Sequence, residues 1–316
     1  MKVIVTGCAG FIGSNFVDHL LEKNFEVVGI DNLSTGQKIF LEKALLNKNF
    51  KFLEEDLLLS NKLPEIFNGS EIVFHFSANA DVRFGLEHTR KDLNQNTLVT
   101  HKILEAMKET NIKKIIFSST GSVYGESELI PTPENYSFPI QTSLYAASKV
   151  ASEGLITAYS HGFNIQCWIF RFVSILGPRY SHGHVYDFFK KLMLNNNKLE
   201  VLGNGKQKKS YLHIDDCISA IDIAIHNSNE LINIFNLGTE EYCEVNDSIK
   251  WIVNELGLDP LLEYTGGDRG WVGDNPFIFL NVEKIKKLGW IPKYSIQESV
   301  LSTLRYLKSN DWLLKK

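Results

Sequence analysis

Tyr145 and Lys149 stand four residues apart in Tyr145-Ala146-Ala147-Ser148-Lys149, a spacing that puts two side chains on one helical face a turn apart. An ammonium beside a phenol stabilises the phenolate, so such a pair can act as a general base near neutrality. The same spacing is also what a solvated helix face displays. Just upstream, Ile115-Ile116-Phe117-Ser118 reads as a strand running into Ser118, Ser119, Thr120 and Ser122. This places a hydroxyl cluster where open α/β sheets bind ligands, at a strand's C-terminal end.

A second constellation opens the chain. Thr6-Gly7-Cys8-Ala9-Gly10-Phe11-Ile12-Gly13 follows the apolar run Lys2–Thr6 and leads into an amphipathic stretch, Ser14–Lys23. Glycines at 7, 10 and 13 allow a sharp turn, approach of backbone N–H groups to a pyrophosphate, and tight packing of helix on strand. The next strand ends in Asp31-Asn32, with Asp31 18 residues past Gly13. A carboxylate there accepts hydrogen bonds from adenine ribose hydroxyls and repels a 2′-phosphate, so tightly bound NAD is expected over NADP. Asp56, before Leu57, could meet the adenine edge or simply cap a helix.

The elements that must position these residues follow from periodicity. Short apolar runs at Lys2–Thr6, Glu26–Asp31, Lys51–Glu54, Ile72–Phe76, Ile115–Ser118 and Gln166–Phe170 alternate with helical segments such as Ser14–Lys23 and Asn96–Glu109. That alternation predicts an α/β fold, a Rossmann-type doubly wound parallel sheet buried on both faces. After Arg171 the texture loosens through Gly177-Pro178, His182-Gly183-His184 and Gly203-Asn204-Gly205, which predicts a smaller, loop-rich C-terminal substrate domain. The expected division is residues 1–175 with a return segment near 211–238, against 176–210 and 239–316.

Composition narrows the functional classes. Among 316 residues, 33 Lys plus Arg face 37 Asp plus Glu, a net charge of −4, and the mean hydropathy is −0.10. No global positive field exists to hold nucleic acid or an anionic membrane. Cys8, Cys167, Cys217 and Cys243 form no C-x-x-C pair, which argues against zinc and against a disulfide framework. The start reaches a glycine turn after three apolar residues, and no later apolar run approaches the ~18 residues of a membrane span. A cytoplasmic protein is expected.

Taken together these motifs resemble the extended short-chain dehydrogenase/reductase family, specifically its nucleotide-sugar epimerases and dehydratases. The resemblance covers nearly the whole chain: Gly7, Gly10 and Gly13, Ser118 to Gly125, Tyr145 with Lys149, Asn96, and the run Arg171, Phe172, Gly177, Pro178, Arg179. It implies that Tyr145 takes a proton from a sugar hydroxyl, usually at C4. Lys149 would lower the Tyr145 pKa and bind the cofactor ribose, and Thr120 would bond the reacting oxygen. The implied cofactor set is Gly7, Gly10, Phe11, Ile12, Gly13, Asp31, Asn32, Asp56, Leu57, Asn96 and Lys149. Dehydrating members carry an acidic residue shortly after the catalytic Thr, where this chain has Gly121 and Ser122. Members that epimerise C3 and C5 place a Cys in that loop, and none lies between Thr120 and Tyr145. The expected activity is therefore C4 oxidation completed as a 4-epimerase, not a 4,6-dehydratase. The alternatives are a C4-dehydrogenase that releases a 4-keto sugar, and a non-catalytic NAD-binding regulator.

The substrate, a nucleotide-diphosphate sugar linked to UDP or GDP, must be held by side chains. Candidates are Arg83, Ser119, Ser174, Arg179, His184, Lys209 and Arg269. Relatives usually have Arg where Lys209 stands and often Asn where Ser174 stands. Lys gives up the bidentate phosphate fork. His182 and His184 lack a matching carboxylate or Cys set, so no metal is expected. The family's four-helix dimer interface implies a homodimer, for which Leu98, Ile103, Leu155 and Ile156 could serve the interface or the core.

Overall fold

The computed structural model describes residues 1–79, 85, 87–137, 139–269 and 277–315. Strands β1 (Lys2–Thr6), β2 (Glu26–Asp31), β3 (Phe50–Glu54), β4 (Ile72–His75), β5 (Lys114–Thr120) and β6 (Gln166–Phe172) appear where the apolar runs predict them. A further strand, Ile232–Leu237, completes a seven-stranded parallel sheet of order Ile232–Leu237, β6, β5, β4, β1, β2, β3. Strand order reverses between β1 and β4, the switch point of a doubly wound fold. Residues 3 to 6 of β1 and all of β4 are buried, because helices cover both faces and leave no solvated side to alternate with.

The first helix, Phe11–Glu22, buries Phe16, Val17, Leu20 and Leu21, and the Phe16 ring sits 4.8 Å from Phe74 and 5.2 Å from Phe76. The helix Val99–Thr110 buries Val99, Ile103, Leu104 and Met107 and ends on Asn111 in the left-handed region, φ 59°. Its N-terminal side differs from expectation. Instead of starting at Asn96, the chain runs through a short helix, Thr89–Asp92, and a π-wound turn, Leu93–Leu98. The core joins Ile4, Ile30, Phe67, Val73, Ile103, Leu104, Ile115, Phe117, Ile156 and Ile169, each contributing on the order of 1.5–3 kcal/mol by leaving water.

Two compact units divide the chain. One contains Met1–Val123, Ser143–Arg171 and Ile221–Phe235, and the other Tyr124–Thr142, Phe172–Ala220 and Asn236–Lys316. The second unit is more helical than its glycine-rich sequence predicts, with helices His184–Leu194, Val245–Leu256 and Ile296–Ser309. Capping boxes at Glu244/Asp247 and Ser295/Glu298 start the last two. Short strand pairs complete it: Ser174–Leu176 with Tyr211–His213, Lys208–Lys209 with Cys243–Glu244, and Lys198–Val201 with Leu261–Tyr264. Asp216 lies in the first turn of the helix Ile214–Asn227. It accepts the backbone N–H groups of Lys293 (2.9 Å) and Tyr294 (3.0 Å) beside fully buried Trp290. Among the described residues no helix is long and apolar enough to cross a membrane.

Candidate active site

The helix Leu144–Phe163 begins where Ser143 accepts the Ala146 N–H and ends on Asn164 in the left-handed region. Its inward face is polar: Ser148, Lys149, Ser152 and Glu153 are all buried. Such a face is stable only if its groups are partnered. Lys149, 2% exposed, donates from Nζ to the Ser118 carbonyl at 2.8 Å and lies 4.7 Å from the centre of the Phe117 ring. Half-buried Tyr145 is hydrogen-bonded to Thr120. Thr120 in turn accepts the Ser122 N–H at 3.1 Å, which fixes its hydroxyl at the end of β5. The expected catalytic trio, Tyr145, Lys149 and Thr120, is thus gathered at one place.

Its electrostatics depart from expectation. Burial pushes the Tyr145 phenol up to about 12, with the Asp92 charge adding to the rise and the Thr120 hydrogen bond opposing it. Burial also brings Lys149 down to about 7, opposed by the negative charges of Glu153 and Asp92. The phenol is raised in the protein alone, because desolvation and the Asp92 charge together outweigh the Thr120 hydrogen bond.

Ser119 was expected at the substrate. Its side chain is instead buried and donates to Glu153 Oε1, since neighbouring strand residues face opposite ways. Asn96 is buried and committed within the protein: Oδ1 accepts the Asn79 N–H at 2.8 Å and Nδ2 donates to Ser148 Oγ at 2.8 Å. It therefore reaches the Tyr145 helix directly.

The glycine turn forms a cradle in which side chains have no room. Gly7 has φ +67°, a Cβ there would lie 2.6 Å from Ser77 N, and one on Gly13 would lie 2.0 Å from the Gly7 carbonyl oxygen. Gly10 precedes the helix without a side-chain cap, so the amides of Phe11, Ile12 and Gly13 begin a helix whose N-terminus suits a diphosphate. At the end of β2, Asp31 accepts Ala9 N–H on Oδ2 (3.0 Å) and Leu33 N–H on Oδ1 (2.8 Å). Burial raises its carboxyl and those two N–H groups oppose the rise. Asn32 Nδ2 donates to Asp56 Oδ2 at 2.9 Å, while Asp56 Oδ1 accepts the Leu58 N–H at 2.8 Å, beside buried Leu57. Cradle, helix end and carboxylate fit a dinucleotide with a free ribose 2′-hydroxyl.

On the proposed substrate side the structure brings together Ser174, His184 and Lys209. Ser174 pairs with Tyr211 between strands. His184 stacks on Tyr211 at 4.7 Å and shares a hydrogen bond with Ser248 Oγ at 2.8 Å. Burial, aided by the Lys209 charge, holds His184 neutral with a pKa near 3, so it offers a neutral imidazole. Arg179 sits in the left-handed region, φ 72°. Arg269 pairs with Glu126, Nη1 to Oε1 at 2.6 Å. Arg83 lies outside the described residues. No group of three or more potential metal ligands occurs among the described residues.

Sequence reading missed the groups behind this first layer. Glu153 accepts Arg171 Nη2 on Oε2 at 2.7 Å; its position four residues after Lys149 was the available signal. His75 sits buried between Thr6 Oγ1 (2.9 Å) and Thr100 Oγ1 (3.0 Å).

Residues 3–238 match the model of the NAD dependent epimerase/dehydratase family. The UDP-glucuronate 4-epimerase of Thermodesulfobacterium geofontis is 30% identical over 99% of this chain and 98% of its own. The dTDP-D-glucose 4,6-dehydratase of Dictyostelium discoideum is 29% identical over 98% of this chain and 82% of its own. The crystal structure of UDP-glucuronic acid 4-epimerase from Bacillus cereus, in complex with UDP-glucuronic acid and NAD, superposes with a TM-score of 0.88 at 28% identity, covering 98% of this chain and all of that one.

Proposed function

The chain belongs to the NAD-dependent epimerase/dehydratase family, and on that premise we propose that it is a nucleotide-sugar 4-epimerase acting on a UDP-linked sugar. The observation that carries this reading is the Tyr145–Thr120 hydrogen bond beside an anchored Lys149, at the sheet end that also holds the glycine cradle. NAD, held by Gly7, Gly10, Phe11, Ile12, Gly13 and Asp31, supplies when bound a hydride acceptor and, in oxidised form, a positive charge that favours the phenolate.

In this reading Tyr145 takes the proton of the C4 hydroxyl through its phenol oxygen, and Thr120 steers that oxygen by its hydrogen bond. Lys149 stays fixed on the Ser118 carbonyl, where its charge supports the phenolate. The hydride lost from C4 would be held on the cofactor; once the 4-keto sugar has turned over it would return to the opposite face of C4 while Tyr145 gives the proton back to the C4 oxygen, and no net oxidation remains. The absence of a carboxylate from Gly121 to Tyr124 supports epimerisation over 4,6-dehydration, which needs an acid and a base near C5 and C6. Arg179, Lys209 and Arg269 are the proposed diphosphate contacts, with Ser174 and His184 nearer the sugar. Arg269 would exchange Glu126 for phosphate.

A homodimer belongs to the same reading. Ile103 and Ile156 are core residues, whereas Leu98 is 42% exposed and remains available for pairing.

The deciding experiment incubates the protein with UDP-glucuronic acid, UDP-glucose and UDP-N-acetylglucosamine and follows the sugar by proton NMR. Inversion at C4 with retention of C6 oxygenation is expected. Accumulation of a free 4-keto sugar would turn the assignment to a dehydrogenase, loss of water to a dehydratase, and no conversion of any would remove the enzyme reading for UDP-sugars.

A further inference from the structure

One charged group beside the Tyr145–Lys149 pair has no part in the proton transfer described above. Asp92 closes the helix Thr89–Asp92 and is 1% exposed. Its Oδ1 accepts Asn79 Nδ2 at 2.8 Å, while Oδ2 is buried without a hydrogen-bond partner among the described residues. Burying a carboxylate oxygen in this way is ordinarily unfavourable, and service to a site is one of the reasons such atoms are kept.

The surroundings tie Asp92 to the helix that carries the reacting phenol. Asn79, which holds Asp92, also donates its N–H to Asn96 Oδ1 (2.8 Å). Asn96 donates to Ser148 Oγ (2.8 Å), and Ser148 donates to the Tyr145 carbonyl (2.7 Å). The π-wound turn Leu93–Leu98 that follows Asp92 packs against the Tyr145 helix. Extra-wide turns of this kind recur at functional sites.

Among the described residues, the other charged or titratable groups named beside the pair, Glu153 and His75, are already balanced. Glu153, one turn further along the same helix, is paired with Arg171 from β6. His75, from β4, is kept neutral by burial, with its pKa near 3. The neighbouring residues of β5, Phe117 to Thr120, carry no ionisable side chain. Asp92 acts on both members: its charge opposes the Tyr145 phenolate and favours the Lys149 ammonium.

We propose that Asp92 is a positioning residue for the proton transfer, its half-committed carboxylate setting the pH at which the Tyr145–Lys149 pair changes charge. The inference rests on the reading of Tyr145 as the base. Asp92→Asn keeps an acceptor for Asn79 and removes only the charge. Without that charge the phenolate gains and the ammonium loses, so both titrations move to lower pH.

The test labels the full-length protein with 13Cε-lysine and 13Cγ-aspartate and titrates it by NMR, assigning Lys149 by its disappearance in Lys149→Arg. The Lys149 midpoint should fall by about one pH unit in Asp92→Asn, as expected for loss of a nearby opposite charge, and Asp92→Glu should restore it. A folded Asp92→Asn with an unchanged Lys149 midpoint overturns the proposal. Should Asp92→Asn fail to fold, the wild-type protein decides: the Asp92 carboxyl signal must show an inflection at the Lys149 midpoint, and its absence overturns the proposal equally. Neither reading requires turnover, so a protein inactive on every sugar would defeat the epimerase assignment while these titrations still decide the role of Asp92. In an active protein the acid limb of the pH–rate profile should move to lower pH with the same substitution.

Discussion

Arg171 and Glu153 form a buried fork, Nη2 to Oε2 at 2.7 Å and Nε to Oε1 at 3.1 Å, with each side chain about nine-tenths covered. Glu153 sits one turn beyond Lys149, so the charge it presents to the active lysine is one that Arg171 already holds in place. The pair thus ties β6 to the helix that carries Tyr145.

Breaking that pair from one side should be costly. Arg171→Met leaves a carboxylate buried without its cation, and a loss of about 3–5 kcal/mol is expected. Combining it with Glu153→Leu removes the stranded charge and should recover part of the loss. Urea denaturation of the two variants measures this. An Arg171→Met protein as stable as the parent would mean that the fork contributes nothing.

Tyr145→Phe should lower kcat by about 10²–10⁴-fold, the usual contribution of a positioned base, with an unchanged thermal midpoint and unchanged NADH binding. Thr120→Val, which removes the hydrogen bond that orients the phenol, should give a smaller loss in the same direction. Turnover of UDP-glucuronic acid followed by NMR, beside thermal melts, checks both. A Tyr145→Phe enzyme with substantial activity would remove Tyr145 from the mechanism.

What could be read in the sequence was local. The glycine cradle spans Gly7 to Gly13 between a strand and a helix, and Tyr145 with Lys149 is a single helical turn, so each motif announces itself within a few residues. The second layer is not local. Glu153 meets Arg171 across 18 residues and Asn79 meets Asp92 across 13, through connections whose path only the folded sheet defines. Apolar spacing at Leu98, Ile103, Leu104 and Met107 gives a helix but cannot register the extra residue per turn that makes Leu93–Leu98 π-wound. Ser119 donates to Glu153, a partner that a run of hydroxyls at a strand end does not reveal, since the run looks alike from either face. Segment Tyr124–Thr142 groups with the second unit, although nothing in its composition separates it from the sheet residues before it.

Acid should destabilise the protein through His75. Its folded pKa is near 3, against about 6.5 for an unfolded imidazole. Between those values the unfolded chain binds more protons, so stability is complete above about pH 6.5 and falls as pH drops toward 3, by about 1.4 kcal/mol per pH unit. His184, with the same depressed pKa, acts in the same direction. His75→Asn cannot titrate, and urea midpoints measured from pH 7 to 5 should fall less steeply in that variant. An identical slope in both proteins would show that His75 does not control acid stability.

Cofactor choice should depend on Asp31. Its two oxygens accept the backbone N–H groups of Ala9 and Leu33, which holds the loop after β2 against the glycine turn; in the proposed cofactor site its charge would face the ribose. Asp31→Asn replaces one acceptor by an amide that faces an N–H donor, so the loop loosens as the repulsion of a 2′-phosphate disappears. Losing a charge-assisted hydrogen bond of about 1.5–3 kcal/mol predicts NADH binding weakened by about 10–100-fold, with NADPH affected far less because relief of repulsion offsets the loss. Fluorescence titration of both nucleotides measures the ratio directly. If Asp31→Asn keeps the parent's NADH-over-NADPH preference, discrimination resides elsewhere and the carboxylate serves only to hold the turn.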